Sequence, residues 1–113
     1  HLLPLTRGML STIYVQALDG TADDTIREAY NQYYKDEPFV RIFDKGLFPQ
    51  IAYVRGTNRC DIGFHYDKNS RKIVIVSAID NLLKGASGQA VQNMNIMFGL
   101  DEKQGVELIR SEL

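Results

Sequence analysis

Alternating side chains mark the clearest strand-like segments of this chain. Over residues 9–18, isoleucine, valine and alanine fall on one face, and leucine, threonine, tyrosine and glutamine fall on the other. β-Branched and aromatic residues with this period of two favour a strand. Residues 60–66 and 72–79 lie on either side of the polar stretch Asp67-Lys-Asn-Ser70. This arrangement predicts a β-hairpin.

A helical period follows the turn at Asp19-Gly20. Hydrophobic residues then repeat at steps of three and four, which is typical of an amphipathic helix, and they are Ile26, Ala29, Tyr30, Tyr33 and Tyr34. We predict a helix over residues 22–36, with Thr21 as N-cap in a capping box with Asp24, and with Pro38 preventing its continuation. The tyrosines could stack on a base or a sugar, but their helical spacing favours a place in the core or at an interface.

The pattern over residues 81–98 predicts a second helix with an unusual composition. Glycine inside a helix costs up to about 1 kcal/mol relative to alanine. One face nevertheless carries two glycines among amide residues, namely Asn81, Gly85, Gly88, Gln92 and Asn95. That face suits the close approach of a flat polar ligand or a neighbouring domain, or simply tight packing. The opposite stripe is apolar and is predicted to be core: Leu83, Ala86, Ala90, Met94 and Met97.

The remaining segments complete an α+β pattern. Residues 39–43 and 51–54 are predicted to be short strands, which makes the order β-α-β-β-β-β-α. Most strands are joined by loops, so we expect a mixed, largely antiparallel sheet with the first helix on one face. The other face then requires the last helix or a second subunit.

Composition narrows the classes of function. A length of 113 residues fits a single domain, and a net charge of −1 offers no electrostatic reason for nucleic acid or an anionic membrane as partner. We find no apolar run of the roughly 20 residues that a membrane span needs, and no signal-peptide pattern. One cysteine excludes an internal disulfide and fits a reducing, cytoplasmic setting. The start at His1, on an apparent strand, suggests a piece of a longer chain.

The sequence gives little support for a metal site or for a nucleophilic side chain. Cys60 could be activated by Arg59, but a small residue at a strand start is the favoured interpretation. His65 has no second histidine at a metal-ligand spacing, so a structural histidine is favoured and no metal site is predicted. The loop with Arg55, Asn58 and Arg59 could bind an anion or could be a solvated basic loop.

Four stretches resemble the N-acetyl-γ-glutamyl-phosphate reductase family, in that family's order. They are residues 1–14 (HLLPLTRGMLSTIY), 37–41 (EPFVR), 53–63 (YVRGTNRCDIG) and 78–95 (AIDNLLKGASGQAVQNMN). The family's Gly-x-Gly-x-x-Gly cofactor loop, Gly-Cys-Tyr-Pro nucleophile segment and His-x-His-x-Pro-Glu segment do not occur. The chain therefore resembles only the C-terminal portion of such an enzyme, without catalytic residues of its own.

The resemblance implies an activity for the parent enzyme. In that family, NADPH reduces an acyl phosphate to N-acetyl-glutamate semialdehyde in arginine biosynthesis, by way of a cysteine thioester. NADP would be bound mainly by a separate N-terminal domain, against which the helix over residues 81–98 would pack. The C-terminal portion would make homo-oligomer contacts, and residues 1–113 alone would be inactive.

Four residues are candidates for the supporting site. Asn81 lies where a strand meets a helix, and its amide could pair with the carboxamide of nicotinamide or could help Asp80 to cap the helix. Gly85 would let the cofactor or the partner domain approach. His1 and Arg7 would face the substrate, whose carboxylate and phosphate suit a guanidinium, although Arg7 could instead pair with an internal carboxylate.

Two other interpretations compete with this one. The chain could belong to a relative of aspartate-semialdehyde dehydrogenase, although the His-Leu-x-Pro-x-x-Arg-Gly stretch at residues 1–8 and the Gln-Ala-Val-Gln-Asn-Met-Asn stretch at residues 89–95 argue against it. It could also be a stand-alone α+β dimerisation module without redox function. A Gly-x-Gly-x-x-Gly cofactor loop and a Gly-Cys-Tyr-Pro nucleophile segment upstream of this chain would favour the reductase interpretation over these two alternatives.

Overall fold

Four strands form a single mixed sheet in the computed structural model, which describes residues 1 and 3–107. The strands are β1 (Met9–Gln16), β2 (Val40–Ile42), β3 (Cys60–Asp67) and β4 (Lys72–Ile79). The helices are α1 (Asp23–Tyr34), α2 (Ile51–Val54) and α3 (Gly88–Met97), and a π-helix (Leu83–Ser87) directly precedes α3. The predicted α+β class is confirmed.

The strand order is β1-β4-β3-β2, with β4 central between β1 and β3. Both of its pairings are antiparallel, and the register places Ile13 opposite Ile75 and Phe64 on the other side of Ile75. The predicted hairpin of β3 and β4 is therefore present. Only β2 runs parallel to its neighbour β3, because the chain crosses over through α2 between them.

Helix α1 covers the β3 side of one sheet face. The ring of Tyr30 stacks on Phe64 with centroids 5.5 Å apart, and the guanidinium of Arg27 lies 4.4 Å from the centre of the same ring. The hydroxyl of Tyr66 donates to the carbonyl of Thr21 at 2.9 Å, which holds the start of the helix. Of the three tyrosines, Tyr33 is 78% exposed and forms no part of the core.

The predicted N-cap of α1 is wrong. Ala22 occupies the N-cap position in an extended conformation, and no side chain caps the helix. The hydroxyl of Thr21 instead donates back to the carbonyl of Leu18 at 2.7 Å, because it closes the turn that ends β1. Asp23 stabilises the first turn of the helix, since its carboxylate pairs with Arg27 one turn later.

Residues 51–54 were predicted to be a strand and instead form the single helical turn α2. The amides of Tyr53 and Arg55 donate to the carbonyls of Gln50 and Ile51. A run of four apolar residues carries too little periodicity to distinguish the two structures, so tertiary packing decides. The turn buries Val54 completely and places Ile51 against the backbone of Gly8.

The last helix is present, but its buried face is the opposite of the predicted one. Gly88, Gln92 and Asn95 are buried, whereas the predicted core residues Ala86, Ala90, Met94 and Met97 are exposed and Leu83 is partly buried. The reason is that residues 102–106 pack against the amide face and supply polar partners to it. Gly99 follows with a φ of +67°, as expected for the residue after a helix end.

The sequence pattern gives no firm prediction for residues 101–113, which follow α3. The structure shows turns over residues 102–106, with Val106 buried and Gly105 at a φ of +77°. Residues 108–113 lie outside the described residues. In the part of the chain that is described, no helix is long and apolar enough to cross a membrane.

Candidate functional site

The carboxylate of Asp80 lies at the point where β4 ends, with no exposed surface. Its Oδ1 atom accepts from the amides of Leu82 at 2.8 Å and Leu83 at 3.2 Å. Its Oδ2 atom accepts from the amide of Gly56 at 2.8 Å and from Nε of Arg7 at 2.6 Å. One side chain therefore ties together the N-terminal loop, the loop after α2 and the start of the last helix.

These contacts determine the charge of Asp80. Burial alone would raise the pKa of this carboxyl group, since it penalises the ionised form. The hydrogen bonds from the amides of Gly56, Leu82 and Leu83, together with the positive charge of Arg7, outweigh burial and lower the pKa below its ordinary value. Asp80 is therefore ionised at neutral pH and forms a buried ion pair with Arg7.

Asn81 makes a second bridge beside the ion pair. Its Oδ1 atom accepts a hydrogen bond from the amide of Gly8 at 2.7 Å. Gly8 has a φ of +112°, and a Cβ there would overlap the side chain of Ile51, so only glycine fits. The helix start is capped by Asp80 rather than by Asn81. The side-chain oxygen of Asn81 is thus engaged with the N-terminal loop, and among the described residues its Nδ2 group has no hydrogen-bond acceptor.

The structure brings together two of the four sequence-predicted site residues. Arg7 and Asn81 lie side by side, since they bind Asp80 and Gly8 respectively. The internal carboxylate considered for Arg7 is present as Asp80, and it engages Nε. The imidazole of His1 instead lies 2.7 Å from the hydroxyl of Thr12 on β1, where it is exposed.

The two glycines of the last helix have different surroundings. A Cβ on Gly88 would overlap Oδ1 of Asn58 and would lie 2.7 Å from the carbonyl oxygen of Leu83. Packing alone therefore requires glycine at that position. Gly85 is exposed within the π-helix, and a Cβ there would lie 3.2 Å from the methyl tip of Ile79, a group that can move. Single π-helical turns recur at functional sites, which keeps Gly85 as a candidate.

A polar network that the sequence patterns missed lies beneath the last helix. Gln92 accepts at Oε1 from Nδ2 of Asn58 at 3.1 Å and from Nζ of Lys84 at 2.8 Å, and its Nε2 donates to Glu102. Burial lowers the pKa of Lys84, an effect that nearby Cys60, Glu102 and Glu37 partly offset. The amide spacing of Gln92 and Asn95 was the signal for this network, and it left a ligand, a neighbouring domain and tight packing as possible explanations.

The loop that carries Asn58 and Arg59 borders a cavity of about 220 Å³, together with Phe39 and Arg41. Asn58 is 3% exposed, so this part of the loop is not solvated. Arg41 donates to both oxygens of the buried Asp61, an ion pair that the sequence did not predict. Within the described part of the chain, no group of three or more histidine, cysteine or acidic side chains could hold a metal ion.

The fold and this junction define the class of protein. The profile of the family described as semialdehyde dehydrogenase, dimerisation domain, matches residues 1–81. The chain belongs to this family. Aspartate semialdehyde dehydrogenase II of Vibrio cholerae, solved as a complex with ASA, has the same fold with a TM-score of 0.67. That match is 19% identical and covers 86% of this chain and 29% of the solved one.

Relatives with higher sequence identity to this chain share one enzyme name. The N-acetyl-gamma-glutamyl-phosphate reductase of Desulforapulum autotrophicum is 60% identical over the whole chain, which covers 33% of that relative. The N-acetyl-gamma-glutamyl-phosphate reductase of Pelotomaculum thermopropionicum is 56% identical over 94% of the chain and 30% of its own length. The chain thus spans about a third of the length of the relatives that it matches.

Proposed function

We propose that this chain is the C-terminal, subunit-pairing part of an NADPH-dependent N-acetyl-γ-glutamyl-phosphate reductase of the cytoplasm. The observation that supports this most directly is the double bridge between two loops, Arg7 to Asp80 and Asn81 to Gly8. The bridges connect the segment of Arg7, whose guanidinium would suit the substrate, to the segment of Asn81, whose amide would suit the cofactor. The nucleophilic cysteine and the main cofactor-binding loop would belong to other parts of the enzyme.

Arg7 would bind the anionic substrate. Its Nε atom is engaged by Asp80, so an incoming carboxylate or phosphate would meet the two terminal nitrogens of the guanidinium. The ion pair holds the planar group in one orientation, which reduces the entropy lost on binding. His1, exposed beside Thr12, would add a hydrogen-bond donor near the substrate.

Asn81 would position the nicotinamide ring of NADPH, which supplies the hydride when it is bound. Because Oδ1 accepts from Gly8, Nδ2 would donate to the carbonyl oxygen of the carboxamide. The exposed backbone at Gly85 would leave room for the cofactor or for the domain that carries it. The residues present therefore fit the supporting half of a nicotinamide site.

A second copy of the chain is the proposed partner. Helix α1 covers only the β3 side of its sheet face, and β1 leaves apolar side chains exposed, including Met9, Ile13 and Val15. Exposed apolar area of this kind is typical of subunit interfaces. Sedimentation velocity should show a species heavier than one chain, and a strictly monomeric species at tens of micromolar, a rough working concentration, would argue against the partner.

The proposed function is tested by two substitutions of Asn81 in the longer enzyme. Asn81→Asp keeps an oxygen acceptor for the amide of Gly8 but removes the Nδ2 donor, whereas Asn81→Ala removes both. We expect kcat to fall on the order of 100-fold in both variants, since misplacement of about 1 Å has this effect. The thermal midpoint should fall mainly in Asn81→Ala. Residues 1–113 alone should show no turnover above the blank.

Two results would contradict the proposal. A normal kcat in Asn81→Asp would mean that Nδ2 does not position the cofactor. A lowered midpoint with unchanged kcat in Asn81→Ala would leave Asn81 with its contact to Gly8 as its sole role.

A further inference from the structure

Asp80 is a fully buried carboxylate with contacts to three separate segments of the chain. Four donors surround it, and both of its oxygens accept two hydrogen bonds each. The three backbone amides among these donors fix the plane of the carboxylate, so it cannot rotate to follow a moving partner. Arg7 therefore binds to a rigid acceptor.

Asn81 also binds the N-terminal loop. Asn81 follows Asp80 directly in the chain, and its Oδ1 atom binds the amide of Gly8, which follows Arg7. Two adjacent residues at the end of β4 thus bind two adjacent residues of the N-terminal loop. This pairing sets the separation and the relative orientation of the Arg7 guanidinium and the Asn81 amide.

We infer that Asp80 is a positioning residue that aligns the substrate-facing end of Arg7 with the cofactor-facing amide of Asn81. The inference rests on the proposed function, because the two groups that it aligns are those assigned there to substrate and cofactor. Asp80 itself would touch neither ligand, because its side chain is completely buried. It would act by keeping the reacting carbonyl at the angle and distance that hydride transfer requires.

A purely structural role can be separated from this one by an isosteric substitution. In Asp80→Asn, an amide oxygen at the Oδ1 position can still accept from the amides of Leu82 and Leu83. The new NH₂ group would then face the donors of Gly56 and Arg7 and could accept from neither. The variant therefore keeps the helix cap and removes the contact that orients Arg7.

The chain offers a matched control. Asp61 is also completely buried, and it pairs with Arg41 through both oxygens. It lies on β3 and has no hydrogen bond to Arg7, Gly8 or Asn81 among the described residues. Asp61→Asn removes one buried charge from one arginine pair, as Asp80→Asn does, without touching the junction of the two loops.

The experiment compares the two variants in the longer enzyme by steady-state kinetics, with NADPH and the acyl phosphate, and by hydrogen exchange of the peptide that contains Gly8. We expect Asp80→Asn to lower kcat about 10- to 100-fold, to change KM for NADPH less than twofold and to speed exchange at Gly8. In Asp61→Asn we expect kcat to stay within about threefold of the unsubstituted enzyme at a similar loss of thermal midpoint.

Each contrary result has a distinct meaning. Equal effects of the two variants on kcat, or unchanged exchange at Gly8 in Asp80→Asn, would overturn the positioning role while leaving the proposed function intact. Absence of turnover in the unsubstituted longer enzyme would overturn the proposed function and the positioning role together.

Discussion

Two glycines only three positions apart show how the surroundings of one residue decide its tolerance to change. In Gly88→Ala the new methyl group would overlap Asn58 and press on the carbonyl of Leu83. We expect the free energy of unfolding to fall by about 1–3 kcal/mol, as in overpacked cores. In Gly85→Ala only the mobile tip of Ile79 must yield, so a gain in helix propensity of up to about 1 kcal/mol should offset the contact.

Chemical denaturation of both variants in the isolated chain measures this difference. A loss in Gly85→Ala as large as in Gly88→Ala would show that the packing at these positions is misjudged. If Gly85→Ala keeps its stability but lowers reductase activity in the longer enzyme, the close approach of the cofactor at Gly85 gains direct support.

The ion-pair partner of a charged side chain could be predicted from the sequence where only a few kinds of partner are possible. Arg7 was expected to pair with an anion, either the substrate or an internal carboxylate, and the structure shows the second with Asp80 while leaving the first as a proposal. The pair of Arg41 and Asp61 was not predicted. It depends on the parallel register of β2 and β3, which no local pattern encodes.

At the level of elements, the sequence predicted the strands β1, β3 and β4, the short strand β2 and the helix α1, but it did not predict α2 or the buried face of α3. The period of two predicted β1, and the polar turn between two strand-like runs predicted the hairpin of β3 and β4. The four residues of α2 were too few to show any period. The buried face of α3 is the opposite of the predicted one, because it depends on residues 102–106. Two carbonyls of that segment accept hydrogen bonds from the side chain of Asn95.

This reversal leads to a prediction about stability. Asn95 is 1% exposed and donates to the carbonyls of Glu102 and Gln104, whereas Met97 is 80% exposed. Asn95→Ala should lower the free energy of unfolding of this chain by about 1–3 kcal/mol, since it removes two hydrogen bonds that a buried side chain donates to the C-terminal segment. Met97→Ala should change it by less than about 0.5 kcal/mol.

Thermal or urea unfolding of both variants tests the orientation of the helix. If Met97→Ala proves the more destabilising of the two in the isolated chain, the apolar stripe is the buried one and the orientation of α3 is wrong.

At the scale of the whole molecule, the distribution of exposed apolar surface agrees with membership of a dimerisation-domain family. Exposed apolar side chains lie on the bare side of the sheet at β1 and at the end of α3, where Phe98 is 74% exposed. The second copy of the chain proposed above would cover the side of the sheet at β1. The α+β class and the mixed sheet could be predicted from the sequence pattern. The partners of the exposed surfaces could not, because a local sequence pattern shows that a surface is apolar but not what binds to it.

The most direct test of the proposed substrate-facing role compares two arginines in the longer enzyme. Arg7→Met and Arg41→Met each leave one completely buried aspartate, Asp80 or Asp61, without its guanidinium partner. Each variant therefore loses one ion pair to a buried carboxylate, and the measured quantity is KM for the acyl phosphate at saturating NADPH. We expect Arg7→Met to raise this KM at least about tenfold, since charge-assisted hydrogen bonds contribute roughly 1.5–3 kcal/mol, while Arg41→Met changes it less than about twofold. An unchanged KM in Arg7→Met, or equal increases in both variants, would contradict the claim that this segment forms the substrate-facing wall.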